Sequence, residues 1–192
     1  MYIMYLIFFR FCFNKHECVQ VFKAEGLPTI GSYLIANTKM ATEELFSKIE
    51  KVFEFPCIVK PNRGSGGKGV SKVTNRDQLK GCIGLAFKQD HQVLVESYIN
   101  DGIEVTVTVH DITADELLEA FPVTELRVQG DSETVLITPC RSINAEVEQQ
   151  VVKVAKVAYR ALNLAGLATF DFIIKVANSL FLLQMLLKRV KH

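Results

Sequence analysis

Hydrophobic positions recur along this chain with two periods, and the switches between them lay out its elements. Over residues 15–25, Cys18, Val19, Val21 and Phe22 form a helical stripe that Gly26-Leu27-Pro28 brings to a stop. Residues 29–36 read as a strand. Residues 41–52 predict an amphipathic helix with Leu45, Ile49 and Val52 on one face. Residues 75–87 predict a third helix, with Asn75 as its N-cap and Leu79, Cys82, Ile83 and Ala86 at helical spacing. The middle of the chain turns to strands: residues 93–96, then 104–109, which alternate polar and apolar as a half-buried strand does. Residues 117–123 and 134–138 add two more. Residues 146–162 form the longest predicted helix, with Val147, Val151, Val154, Ala158 and Leu162 turned inward. Residues 168–176 and 180–187 then read as a hairpin around Ala177-Asn178-Ser179. Helices early, antiparallel-looking strands in the middle and a helix with a hairpin late make an α+β arrangement of two lobes.

Composition narrows the partners. In 192 residues, 22 basic side chains against 21 acidic ones leave a net charge of +1. No broad field draws in nucleic acid or a membrane surface, so any affinity must come from a local site. The five cysteines (Cys12, Cys18, Cys57, Cys82, Cys140) are scattered and never spaced C-x-x-C, which argues against a disulfide framework or a zinc site. Reduced thiols in a cytoplasmic protein are the plain reading. The apolar opening, residues 1–13, has no basic n-region, is interrupted by Arg10 and is followed by no small-residue cleavage pattern. It is also short of the roughly 20 residues that span a bilayer. An isolated apolar strand or an unnatural start is expected there, not a targeting signal.

One stretch carries chemistry. Phe55-Pro56-Cys57-Ile58-Val59-Lys60-Pro61 is a short apolar strand ending in a lysine, and four glycines follow among the six residues 64–69. Val70-Ser71-Lys72-Val73 returns as a second strand. Glycines let backbone N–H groups turn inward, and concave arrays of N–H groups bind anions. With the charge of Lys60 beside it, the loop suits a nucleoside triphosphate. It is not a P-loop, since no Gly-Lys-Ser/Thr opens a helix here. On pattern alone, a flexible hairpin that binds nothing looks the same.

Several separated motifs resemble the ATP-grasp superfamily, and within it the D-alanine–D-alanine ligases. Asn14-Lys15 with Phe22-Lys23-Ala24-Glu25-Gly26-Leu27-Pro28 is similar to the segment that opens the ligases' central domain. The Phe55–Pro61 run resembles their lysine-ending strand. Val93-Leu94-Val95-Glu96-Ser97-Tyr98-Ile99, then Gly102-Ile103-Glu104-Val105-Thr106-Val107, resembles their adenine and ribose motifs. Ala158-Tyr159-Arg160-Ala161-Leu162 followed by Phe170-Asp171-Phe172 resembles their last helix and metal-binding strand. The resemblance implies two α+β lobes clasping a nucleotide: residues 14–100 as a central lobe and 101–192 as a C-terminal lobe, with 1–13 unlike the family. It implies ATP and Mg²⁺ as cofactors. Lys15 and Lys60 would approach the phosphates, and Ser65, Gly66 and Gly67 would close over them. Glu96, Ser97, Tyr98 and Ile99 would hold adenine, Glu104 the ribose hydroxyls, and Asp171 the magnesium. Bland readings stand beside these, among them Lys15 and Lys68 as solvated charges and Glu96 paired with a surface lysine.

The pattern also departs from the family. Relative to the ligases, the chain reads as truncated at both ends. Gln184 stands where a bridging glutamate is expected and Leu186 where an asparagine is expected. Thr169 replaces an arginine that would stabilise acyl-phosphate charge, a role threonine cannot fill. Residues 125–131 lack the tyrosine and lysine of the substrate-covering loop. The function this implies is ATP-dependent ligation of a carboxylate to an amine through an acyl phosphate, in peptidoglycan precursor synthesis, with activity weak or lost. The substrate would be a small amino acid or another carboxylate, and the family implies a homodimer. Another ATP-grasp carboxylate ligase or carboxylase-type enzyme, or a non-catalytic remnant that binds ATP, remains the alternative.

Overall fold

The computed structural model describes residues 14–64, 66–111, 117–129, 133–175 and 186–188. The expected 177–179 turn, most of the strand before it reaches residue 186, and the apolar opening lie outside those residues. The described chain divides into two compact units, one of residues 14–16 and 30–100, the other of 17–29 and residues from 101 onward.

The first unit is built on a four-stranded sheet of β1 (Ser32–Ile35), β2 (Cys57–Pro61), β3 (Ser71–Val73) and β4 (Val93–Ser97), in the order β1-β4-β2-β3 with every pair antiparallel. Helices α2 (Glu43–Val52) and α3 (Leu79–Phe87) supply the apolar side of its core. The Thr42 hydroxyl caps α2 by accepting from the Leu45 N–H at 3.3 Å, and Glu43 and Glu44 favour the positive end of the helix dipole. Leu45, Phe46 and Ile49 are buried with Ile35, Val59, Val73 and Val95. Val52, expected on this face, is 60% exposed; Phe46 and Phe53 fill the space instead. Asn75 does cap, but what it caps is a 3₁₀ turn, Arg76–Gln78, that leads into α3.

The second unit packs helix α1 (Lys15–Ala24, from residue 17) and α4 (Ala145–Ala161) on a larger antiparallel sheet. Its strands are β5 (Ile103–His110), β6 (Glu119–Ala120), β7 (Thr124–Gln129), β8 (Glu133–Ile137), β9 (Leu167–Ile174) and β10 (Leu186–Lys188), in the order β10-β9-β5-β7-β8 with β6 on β5. Asn144 caps α4 by accepting from the Val147 N–H at 2.9 Å. Val147, Val151, Ala155, Ala158 and Tyr159 then face the sheet; Val154 is only partly buried. The expected strand over 117–123 is reduced to Glu119–Ala120, and Thr124–Gln129, expected as part of a loop, is a full strand paired on both sides.

Alternation does the sorting. Val105, Val107 and Val109 of β5 and Phe170 and Phe172 of β9 face the helices. Glu104, Thr106 and Thr108 of β5 and Thr169 and Asp171 of β9 therefore share the opposite face.

Candidate functional site

In the four-stranded unit, the face turned away from the helices carries an ion pair. Lys60 stands opposite Leu94 and Glu96 opposite Ile58, so the two charges are diagonal neighbours on adjacent strands. Their side chains meet at 2.6 Å, with 6% and 2% of their surfaces exposed. A buried pair of this kind is costly to break from one side, because the charge left behind has no solvent. Ser97, Tyr98 and Ile99 follow directly and are half-buried. The Lys72 ammonium sits 3.8 Å from the centre of the Tyr98 ring.

The glycine loop leaves the end of β2. Gly64, Gly66, Gly67 and Gly69 all have positive φ (118°, 73°, 73° and 73°). This is the left-handed territory where other residues are strained, so the glycines are there for their backbone. Gly66, Gly67 and Lys68 are exposed; Ser65 lies outside the described residues. Gly69 has a second reason: a Cβ there would lie 2.8 Å from the Gln89 Cγ and 3.1 Å from the Pro61 Cγ. The Lys15 ammonium does not stand free. It donates to the carbonyls of Gly64 at 3.0 Å, Asn62 at 3.3 Å and Pro61 at 3.4 Å.

Sequence reasoning missed Asn62, which is fully buried. Its N–H donates to the Gln92 carbonyl at 2.9 Å, and its amide nitrogen to Asn14 Oδ1 at 2.8 Å and Gln92 Oε1 at 2.9 Å. Its Oδ1 accepts from the His16 N–H at 2.8 Å, and its carbonyl from the Lys15 N–H at 3.1 Å. An asparagine just before a glycine run is an ordinary turn signal, so nothing in the sequence marked it as a hub.

In the six-stranded unit, Glu104 is exposed and Asp171 is 9% exposed, cross-strand from Thr106. The Thr108 and Thr169 hydroxyls lie 2.7 Å apart and share one hydrogen bond. Thr169 thus spends its hydroxyl on a neutral neighbour. Among the described residues no group of three or more His, Cys, Asp or Glu side chains could hold a metal ion. Asp171 fits an ion that needs one protein carboxylate and takes its other ligands from phosphates and water, as Mg²⁺ does. Gln184 lies outside the described residues.

A second feature that sequence reading missed is Glu125, on the helix-facing side of β7 opposite Val105. It is 5% exposed and accepts from the Ser142 hydroxyl at 2.7 Å and from Arg127 at 2.7 and 3.0 Å. The Ser142 hydrogen bond, with Arg127, holds its carboxyl below the usual value against the opposing effect of burial. Cys18, Cys57, Cys82 and Cys140 are free thiols, and burial pushes Cys57 up to about 11 and raises Cys140 as well.

Two antiparallel α+β units of this kind, one with a glycine-rich hairpin loop, are the ATP-grasp fold. Two solved structures share it. One is VanG D-Ala:D-Ser ligase from Enterococcus faecalis, with a TM-score of 0.80 and 24% identity over 92% of this chain and 51% of that one. The other is D-alanyl-alanine synthetase A from Vibrio cholerae, with a TM-score of 0.77 and 19% identity over 91% of this chain and 55% of that one. The chain belongs to the D-ala D-ala ligase C-terminal family, whose model matches residues 21–186. A D-alanine–D-alanine ligase of Flavobacterium johnsoniae is 34% identical over 185 residues, 90% of this chain and 54% of the relative. One of Ruminiclostridium cellulolyticum is 33% identical over 165 residues, 80% of this chain and 43% of the relative. The chain spans about half the length of the curated relatives it matches.

Proposed function

We propose that this chain binds Mg-ATP and derives from chemistry in which ATP phosphorylates a carboxylate and an amine displaces the phosphate. In this reading the ancestral product is D-alanyl-D-alanine for peptidoglycan precursors, made in the cytoplasm, and turnover by this chain is weak or lost. The observation that carries the nucleotide reading is the loop of left-handed glycines that opens directly after Lys60, in a chain of this family. Gly66 and Gly67 offer backbone N–H groups to the β- and γ-phosphates. Lys60 supplies a positive charge held in place by Glu96. Glu96 through Ile99 take the base. In the six-stranded unit, Glu104 takes the ribose hydroxyls and Asp171 the magnesium that neutralises phosphate charge when bound. In this reading residues 14–100 make the family's central lobe and 101–192 its C-terminal lobe, except that residues 17–29 pack with the second unit.

Thr169 supports the weak-turnover part. A cation two residues before Asp171 would stabilise charge that builds up on the acyl group; a threonine bonded to Thr108 does not. Loss of one such donor costs about two to three orders of magnitude in rate. The test is a thermal-unfolding titration with Mg-ATP against Mg²⁺ alone and Mg-GTP, followed by phosphate release with D-alanine. Ligand at about 100 times Kd adds roughly 2.7 kcal/mol to stability. A saturable, ATP-selective rise without D-alanine-dependent phosphate is the expected result. No ATP-selective rise sinks the nucleotide reading, and ordinary ligase turnover sinks the loss of activity.

A further inference from the structure

We propose that Asn62 is a positioning residue: its buried amide ties the start of the first helix, and with it Lys15, to the strand that carries Lys60, so that the two cations meet a triphosphate at a set spacing. The proposal rests on the nucleotide reading above and takes Lys15 as a second phosphate cation. An α-helix leaves its first four N–H groups without partners inside the helix. In α1 two of those donors are met by one residue far along the chain. The Lys15 N–H donates to the Asn62 carbonyl at 3.1 Å, and the His16 N–H to Asn62 Oδ1 at 2.8 Å. A backbone N–H only donates, so the amide cannot turn over. Its nitrogen is thereby aimed at Asn14 Oδ1 and Gln92 Oε1, at 2.8 and 2.9 Å.

The backbone of Asn62 belongs to the sheet. It follows directly on β2, whose Lys60 and Pro61 stand opposite Leu94 and Val93. The Asn62 N–H donates to the Gln92 carbonyl at 2.9 Å and carries that ladder one residue further. Glu96 holds Lys60 on the same pair of strands. All of these residues lie in the first compact unit. Asn62 is fully buried, where each unmet polar group is costly, so an amide satisfied at both ends admits one geometry. An apolar side chain would fill the space without directing the helix start. Lys15 is the group so directed. Its ammonium lies 3.0 Å from the Gly64 carbonyl, but 3.3 and 3.4 Å from those of Asn62 and Pro61, longer than an ordinary N–H···O bond. A phosphate oxygen, carrying charge, outcompetes those two long contacts.

A double-mutant cycle between Asn62→Ala and Lys15→Met tests this, with calorimetric Kd values for Mg-ATP and AMP taken well below each variant's unfolding midpoint. Asn62→Ala removes the amide and leaves the backbone carbonyl in place. It is expected to raise the Kd for Mg-ATP about tenfold, the equivalent of one charge-assisted hydrogen bond, and to change that for AMP less than about twofold, since AMP lacks the phosphates. Lys15→Met is expected to cost as much or more, and adding Asn62→Ala to it to cost nothing further. Losses that multiply in the double variant overturn the proposal, because Asn62 then does not act through Lys15. Equal losses for ATP and AMP overturn it too, as a general loosening of the fold would produce them. Gln92→Leu strips one support from the amide and keeps both bonds to the helix N–H groups. It carries the test should Asn62→Ala fail to fold: a Kd raised about two- to threefold for Mg-ATP alone is expected, and an unchanged one overturns the proposal. If Lys15→Met binds Mg-ATP as the wild type does, the proposal falls and the nucleotide reading stands. If the wild type ignores Mg-ATP, both fall.

Discussion

The two sheets turn different chemistry away from their helices. The four-stranded sheet presents two full charges, Lys60 and Glu96, already paired at 2.6 Å and almost wholly buried. The six-stranded sheet presents hydroxyls that satisfy each other, Thr108 with Thr169 at 2.7 Å, and single carboxylates at Glu104 and Asp171. The first face is fixed: each charge depends on the other, so neither can be altered without consequence for folding. The second is modular, because neutral hydroxyls cost little to lose. Full charges on a buried face are expensive to keep in a folded chain, and this one keeps them by pairing.

The sharpest way to break that contrast is Glu96→Leu. It strands the Lys60 ammonium on a dry face, and the expected loss is about 3–5 kcal/mol in urea unfolding. The double variant Lys60→Met with Glu96→Leu is expected to recover most of it, because a matched apolar pair needs no partner. If the single and double variants lose equal stability, the pair is not coupled and the comparison fails.

A smaller effect separates two glycines of the loop. Gly66→Ala meets nothing within 4 Å, so only its φ of 73° is strained, about 1–2 kcal/mol. Gly69→Ala has the same φ and must also push against Gln89 and Pro61. It is expected to cost about 1 kcal/mol more than Gly66→Ala, since Gln89 can yield and Pro61 cannot. Paired chemical denaturation of the two variants reads the difference, and equal losses would mean that Gly69 is there for its φ alone.

Glu125 extends the comparison to a charge on the helix-facing side. Its folded carboxyl titrates below its ordinary value, so its contribution is present above that value and is lost as pH falls through the folded one. Glu125→Gln is expected to flatten the acid limb of the stability profile, and Ser142→Ala to shift that limb upward in pH. An acid limb identical in all three proteins would show that Glu125 does not set it.

Where sequence reading succeeded, periodicity and burial agreed. The valines of β5 alternate inward with the period of two that their spacing predicts, and Asn75, expected as an N-cap, does accept an N–H bond, though at the start of a 3₁₀ turn. It failed on β7 because that strand inverts the rule. Val128 is 68% exposed, while Glu125 is buried because Ser142 and Arg127 satisfy it. Hydrophobicity alone assigns each residue to the wrong face, and the partners that reverse it come from residues that only the fold brings near. The site was legible in part. The glycines take the left-handed backbone that suits the turn their run suggested, but the pairing of Lys60 with Glu96 depends on strand register, which sequence spacing does not show. The carbonyls around the Lys15 ammonium and the Asn62 hub were invisible for the same reason, since most of the partners are backbone groups, which every residue has.

The mildest prediction concerns the hydroxyl face. Thr108→Val leaves the Thr169 hydroxyl without its partner, at an expected cost of about 0.5–1.5 kcal/mol, less whatever valine's fit to a pleated surface returns. Adding Thr169→Val removes the stranded group, and the double variant is expected to be near wild-type stability. Both sheets should then show recovery in the double variant, but from very different depths. Urea midpoints of all four single and double variants test this together. If Thr108→Val costs no less than Glu96→Leu, the hydroxyl face tolerates change no better than the charged one, and the division between a fixed and a modular face is lost.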